Sequence, residues 1–308
     1  MWLEIILLAL LIDLVIREPP GTNWNPVVWI GSFINKAWRK FKHKNPQVEK
    51  INGVLFALAV VFICAGSVYV LLSLVEFNAV LYILISALTL KYCMAFSAFF
   101  DTVKPVKESL LAGDLPAARE HVWHLVTRDT SKLDEKQVVS ATVESIGENI
   151  CDNLIAPLFY FALFGVPGAV ACRVINLLDG IVGYKTLEKR HFGWFSARFD
   201  DVVQFVPARI TGALFVVSAF ILRKNAANSL KVMLRDHPKD DGINSGWSIA
   251  AMAGALNVQL EKPGVYKMGD PDDKLDVKKM DDALLFIPAT LLVFVVFIWL
   301  ALMINVVG

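Results

Sequence analysis

Cysteine is scarce in this chain and poorly spaced for chemistry. The 308 residues include four, Cys64, Cys93, Cys151 and Cys172. None forms a CxxC or other zinc spacing, so neither a metal cluster nor a disulfide framework is expected. Cys64 and Cys93 read as core residues facing neighbouring helices, and Cys151 stands beside Asp152, with packing its simpler role. An excess of one charge is missing too: 30 Lys and Arg against 29 Asp and Glu give a net charge of +1. No basic run is interleaved with aromatics, so nothing points to nucleic acid. A GxxxxGK[ST] phosphate loop is absent, and no Ser-His-Asp constellation is evident. The first 16 residues lack a basic n-region and a small-residue cleavage site, so a retained helix is expected there rather than a removable signal peptide. No internal repeat is visible.

What the chain has in abundance is apolar surface. Hydrophobic residues make up 56% and the mean hydropathy is +0.54, too apolar for an ordinary soluble enzyme. The expected architecture is all-α, a polytopic membrane helical bundle. It forms a single integral membrane domain over 1–308, with spans at about 1–16, 51–75, 79–100, 153–172, 203–222 and 284–306. The short joint Glu76-Phe77-Asn78 makes 51–100 a helical hairpin. Pro19-Pro20-Gly21 ends the first helix. The Lys/Arg-rich stretches 36–50, 101–150 and 223–282 are polar insertions that belong in the cytoplasm. The cluster Lys36 to Lys44 reads as such a loop, touching anionic lipid. Gly246 to Val258 is an apolar helix too short to span, and Asp270 to Asp282 is a solvated loop. Lys91 interrupts the second hairpin helix and is expected to snorkel or to pair within the bundle. Asp13 admits two readings: an interfacial carboxylate partnered by Arg17 at i,i+4, or a group facing an active site.

Ionisable groups concentrate between residues 144 and 209, among segments apolar enough to enter a bilayer. At membrane depth each costs about 2.5–3.5 kcal/mol on insertion scales, which marks a functional site by default. Asp134-Glu135-Lys136-Gln137 is a capping-box variant that starts a helix. That helix carries Glu144, Glu148 and Asp152 at i, i+4 and i+8, on one face. Like charges at this spacing repel, and a divalent cation with oxygen ligands would relieve the repulsion. Gly165-Val166-Pro167-Gly168 breaks the apolar run that follows. Two half-helices re-entering there would return Gly183-Tyr184-Lys185 to the starting side of the membrane. Arg173, Asn176 and Asp179 form a polar stripe on an apolar helix. Asp200 and Asp201 point apart on the next helix, so one of them faces a site. Arg209, inside an apolar segment, needs an anionic partner, either a substrate or a nearby Asp.

Ordered motifs along nearly the whole chain resemble those of the adenosylcobinamide-phosphate synthases of cobalamin biosynthesis, the CobD/CbiB type. They are Arg128-Asp129-Thr130, Glu144 with Glu148-Asn149 and Asp152, and Ala156-Pro157-Leu158. Next come Asn176-Leu177-Leu178-Asp179, Gly183-Tyr184-Lys185, Asp200-Asp201 and Pro207-Ala208-Arg209. Asn244-Ser245-Gly246-Trp247 and Ala251 to Leu256 complete the set. Many members carry His where Asn25 stands, so a proton-transfer role does not carry over to that position. The resemblance implies a carbon–nitrogen ligase. It would join adenosylcobyric acid to (R)-1-aminopropan-2-ol O-phosphate, or ethanolamine phosphate, at the expense of ATP with Mg²⁺. The corrinoid would bring its own cobalt, and no DxHxxG motif offers that cobalt a histidine. On this reading Glu144, Glu148 and Asp152 hold the metal. Asp129, Asn149, Asn176, Tyr184, Lys185, Arg209 and Asn244 bind substrate or phosphate, and Asp179, Asp200 or Asp201 holds or deprotonates the incoming ammonium. The resemblance implies a multi-pass protein of the cell membrane with its active-site loops in the cytoplasm. Its partners would be these substrates and the bilayer, and it leaves room for association with other late cobalamin-pathway membrane enzymes. The competing reading is a non-catalytic membrane sensor or transporter on a related scaffold, which would have no need of these carboxylates together.

Overall fold

Asparagine and aspartate side chains start the helices. In the computed structural model, which describes residues 1–17, 25–183 and 187–307, Asn25 caps α2 (Pro26–Ala37), Asn45 caps α3 (Pro46–Val75) and Asn78 caps α4 (Ala79–Cys93). Each side-chain oxygen accepts from a first-turn N–H that has no helical partner, and Pro26 and Pro46 occupy positions where no N–H is needed. Asn25 Oδ1 accepts from Val27 N at 2.9 Å. Before α2 runs α1 (Trp2–Ile16); Pro19-Pro20-Gly21, expected to end it, lie outside the described residues.

The remaining helices are α5 (Phe96–Leu111), α6 (Leu115–Trp123), α7 (Glu135–Ile150), α8 (Ala156–Val182), α9 (Trp194–Val203), α10 (Phe205–Ile221), α11 (Ala226–Asp236), α12 (Ser245–Ala255), α13 (Val277–Leu284) and α14 (Phe286–Val307). A short antiparallel hairpin, β1 (Leu260–Lys262) and β2 (Tyr266–Met268), interrupts them. By length and composition, four helical stretches among the described residues can cross a membrane: 46–75, 79–111, 135–182 and 277–301. A fifth arises if α9 and α10 are counted as one span. Exposed apolar side chains such as Phe62, Ile63, Leu84 and Phe297 stud these helices, and a bilayer is the solvent that accepts them. The fold is a polytopic helical membrane bundle.

The chain divides into two compact units, each discontinuous in sequence: Met1–Ala95 with Ala156–Gln204, and Phe96–Ile155 with Phe205 onward. In the first, Gly53 of α3 lies so close to the Phe192 carbonyl that a Cβ would stand 2.0 Å from it, and Gly193 is pressed in the same way on Val182. Trp38, Phe41, Phe56 and Phe192 stack around that contact, with centroids 5.3–5.9 Å apart. The expected break in α8 is present. Gly165 sits at φ 67°, ψ −162°, a region open essentially to glycine alone. A Cβ on Gly168 would lie 2.5 Å from the Tyr160 carbonyl oxygen. An unbroken helix would separate those residues by about 12 Å, so the chain folds back on itself here.

In the second unit, small residues let helices approach closely. Gly246 packs on the His237 carbonyl and Gly254 on that of Asn228. Ser229 Oγ donates to Ala251 O at 2.8 Å, joining α11 to α12. Asp236, fully buried at the end of α11, accepts from Arg235 (2.7 and 2.8 Å), from Lys239 and from Gly269 N (2.7 Å). Burial alone would raise its pKa, but these donors outweigh it and hold the carboxyl at about 2.

Candidate active site

The capping box at the start of α7 forms as expected. Asp134 Oδ1 accepts from Gln137 N at 2.7 Å and Gln137 Oε1 from Asp134 N at 3.0 Å. From this fixed start α7 presents Ser140, Glu144 and Glu148 at one-turn intervals. Glu144 is buried and its two oxygens are well occupied. Arg128 meets them through both terminal nitrogens (3.1 and 3.3 Å), Ser140 Oγ donates at 2.6 Å and Tyr266 Oη at 2.9 Å. Ser140 Oγ also receives Glu261 N at 2.7 Å. One carboxylate thus clamps the loop before α7, α7 itself and the β-hairpin. Burial, then the adjacent Glu144, pushes the Tyr266 phenol far above its ordinary range, so Tyr266 remains a donor at physiological pH.

Glu148 differs. It is exposed, and its charge interacts with Asp152, Asp240, Lys262 and Glu144. Asp152 lies in the single π-helical turn formed by Cys151–Ile155, and its charge acts on Glu148. Such a widened turn is frequent at functional sites. Beside it, Asn149 Nδ2 donates to Ser145 O at 2.8 Å and Asn149 Oδ1 accepts from Asn153 at 2.7 Å. Among the described residues no group of three or more His, Cys, Asp or Glu is placed to hold a metal ion. Glu144 in particular does not fit a direct ligand, since its lone pairs are taken by four donors.

Arg209 lies on α10 in the same unit as these carboxylates. Its Nη1 donates to Phe205 O (2.6 Å) and Asn244 Oδ1 (3.1 Å), and Nη2 to Ile243 O (3.4 Å). The guanidinium stands 3.4 Å from the Phe205 ring centroid and 5.0 Å from that of Trp247. All these partners are neutral, so they orient the fork without cancelling its charge. Asp129 is exposed, and the Ser131 N–H bonding to its carboxylate holds its pKa below the usual value.

In the first unit, Asn176 and Asp179 lie on the last turns of α8, and Asp200 and Asp201 on α9. Asp179 feels the charge of Asp201, and Arg198 pairs with Asp201 at 3.2 Å. Gly183 leaves room for the Asp179 carboxylate, whose Oδ1 occupies the space a Cβ would need. Tyr184 and Lys185 lie outside the described residues. Lys42 reaches Glu188 at 3.1 Å, which brings Glu188 to the basic 36–50 stretch. Asp13 is not at an exposed position. It is buried on α1 with Lys91 of α4, Nζ to Oδ1 3.7 Å, and Lys91 also donates to Arg17 O at 2.8 Å.

Sequence reasoning missed Tyr266, Lys262, Ser140 and Asp240 as companions of the acidic helix. One signal was present: Pro263-Gly264 between Leu260-Glu261-Lys262 and Tyr266-Lys267-Met268 is a turn flanked by alternating apolar residues.

The comparisons agree with one another. A family profile described as CobD/Cbib protein matches residues 6–279. The probable cobalamin biosynthesis protein CobD of Methanothermobacter thermautotrophicus is 40% identical over 291 residues, covering 94% of this chain and 95% of its own. The cobalamin biosynthesis protein CobD of Dehalococcoides mccartyi is 39% identical over 272 residues, 87% of each chain. That of Geobacter metallireducens is 38% identical over 285 residues, 88% of each chain. No solved structure matches. Aligned along nearly its whole length with relatives that share one name, this helical membrane protein belongs to the CobD/Cbib family of cobalamin biosynthesis proteins.

Proposed function

We propose that the protein is an ATP-dependent ligase joining adenosylcobyric acid to (R)-1-aminopropan-2-ol O-phosphate, or to ethanolamine phosphate, and releasing adenosylcobinamide phosphate, ADP and phosphate. The free propionate of the corrinoid is a poor acyl donor, because amide formation would have to expel oxide. Its carboxylate oxygen attacks the γ-phosphorus of ATP and ADP departs. The amine nitrogen then attacks the acyl phosphate carbon, phosphate departs, and a carboxylate takes the ammonium proton. Positioning and charge neutralisation supply the catalysis, with no protein nucleophile.

The observation that carries this reading is Arg209, a cation set at the start of an apolar helix and oriented only by neutral acceptors and two aromatic faces. A planar fork held this way suits a phosphate or carboxylate. Mg²⁺ accompanies ATP as part of that substrate; the residues present do not make a resident three-carboxylate centre. Glu148 and Asp152 face the nucleotide, Asn149 and Asn244 hold its surroundings in place, and Asp129 is assigned to substrate. For the first unit, the roles of Asn176, Asp179, Asp200 and Asp201 toward the ammonium, and of Tyr184 and Lys185 toward phosphate, are those that the family resemblance implies. The loops carrying these groups face the cytoplasm of a cell-membrane protein, where the other late enzymes of the pathway are potential neighbours.

The test is direct. Purified protein is incubated with ATP, Mg²⁺, adenosylcobyric acid and each amine, and ADP and product are followed together. ADP and product in equal amounts are expected. Their absence with both amines, from folded protein, overturns the assignment and leaves a sensor or transporter. Arg209→Lys should keep thermal stability and raise the Michaelis constant for ATP or the amino-alcohol phosphate; a destabilised variant with unchanged constants removes Arg209 from substrate binding.

A further inference from the structure

A cavity of about 430 Å³ lies within the first unit, walled by α2, α3, α4 and the second half of α8. Its volume falls in the range of about 300–1,000 Å³ typical of small-molecule sites. Its chemistry is one-sided. Ser67 Oγ donates to Cys64 O at 3.0 Å and Thr89 Oγ1 to Ile85 O at 2.8 Å, so both hydroxyls are committed to their own helices. What they leave is a mainly apolar wall, aliphatic at Ile30, Val68 and Val170 and aromatic at Tyr92. A ligand rich in polar groups would lose its hydration there without replacement. The rim carries Ser67 and Leu88, the latter 45% exposed, on helices whose outward side chains, Ile63 and Leu84 among them, are exposed and apolar. The mouth is therefore continuous with the surface that the bilayer covers. One charged side chain lines the cavity, Arg173 of α8.

We propose that this cavity is a lipid site: one acyl chain of an anionic phospholipid enters laterally from the bilayer and fills the apolar part, with its phosphate held at Arg173. An apolar chain satisfies the wall, lateral entry follows from the rim, and Arg173 selects the sign of the headgroup. The site is separate from the ligase chemistry and stands whether or not that assignment holds.

The experiment uses full-length protein in nanodiscs containing phosphatidylglycerol or phosphatidylcholine with a diazirine on one acyl chain. After irradiation, labelled peptides are mapped by mass spectrometry. Labelling concentrated at 64–68 and 88–93 is expected, with phosphatidylglycerol favoured roughly fivefold, the equivalent of about 1 kcal/mol for one basic residue at an anionic lipid. Arg173→Gln should bring that preference to near one, and Ser67→Trp should suppress the focused labelling with either lipid. If Ser67→Trp does not purify as a single species, the wild-type map and Arg173→Gln decide. Labelling spread evenly over outward residues such as Phe62 and Phe220, or a preference unaffected by Arg173→Gln, overturns the proposal. So does displacement of the probe by saturating corrinoid, which would make the cavity a substrate pocket.

Discussion

Glu144 and Glu148 stand one helical turn apart and have opposite surroundings. Four donors fix Glu144, whereas Glu148 is exposed among other charges. Glu144→Gln should therefore cost stability, about 3 kcal/mol, because Arg128 would be left without its counter-charge. Glu148→Gln should insert, purify and melt normally but lose most turnover. Paired thermal melts and assays check both; near-normal turnover of Glu148→Gln at saturating Mg²⁺ removes it from the site. Asp236 gives a pH prediction. Its folded pKa of about 2 lies below the ordinary carboxylate value, so it contributes stability above about pH 4 that fades as pH falls toward 2. The contribution is on the order of 1 kcal/mol, because the partners Arg235 and Lys239 are themselves solvated. Melting temperatures between pH 2.5 and 7 should fall at the acid end, and Asp236→Asn should start lower and lose less across that window. The acidic spacing on α7 was legible because it is local. The partners of Glu144 were not, since Arg128 precedes the helix and Tyr266 arrives on a hairpin far along the chain.

At the scale of elements, chain breaks and caps were the most readable features, because each depends on a few adjacent residues. The Asp134–Gln137 box and the Gly165–Gly168 break are both where the spacing puts them. The π-helical turn at Cys151–Ile155 left no signature in the periodicity, as one extra residue per turn is a tertiary adjustment. The break makes a prediction. Gly165→Ala forces a side chain into a backbone region that only glycine occupies easily and should cost about 1–3 kcal/mol. Gly66→Ala, where a Cβ meets nothing within 4 Å, is the control. It should be neutral or gain up to about 1 kcal/mol in a helix interior. Equal melting temperatures for the two variants would show that the break tolerates side chains.

For the molecule as a whole, hydropathy found the long apolar helices but not their grouping, and α1 is not among the stretches long enough to cross a membrane. Each unit is assembled from separated stretches, and a sliding window reads one stretch at a time. Membrane sidedness is better constrained by contact. Lys42 pairs with Glu188, and Lys189 Nζ and Lys42 Nζ lie 5.8 and 5.5 Å from the Trp38 ring centroid. Single cysteines at Lys42 and Lys189, in a background lacking the four native ones, should be labelled from the same side by an impermeant maleimide. The positive-inside rule predicts that side to be the cytoplasm. Labelling from opposite sides would break the argument that the fold in α8 returns the chain.

The buried Asp13–Lys91 pair has a consequence for biogenesis. Lys91 alone in lipid would cost about 2.5–3.5 kcal/mol, and Asp13 alone a comparable amount. Neutralising both requires α1 and α4 to meet, although α2 and α3 are synthesised between them. The pair therefore predicts that α1 stays beside the insertion machinery until α4 emerges. A ribosome stalled between them holds a half-made protein whose most apolar segment is not yet free to settle.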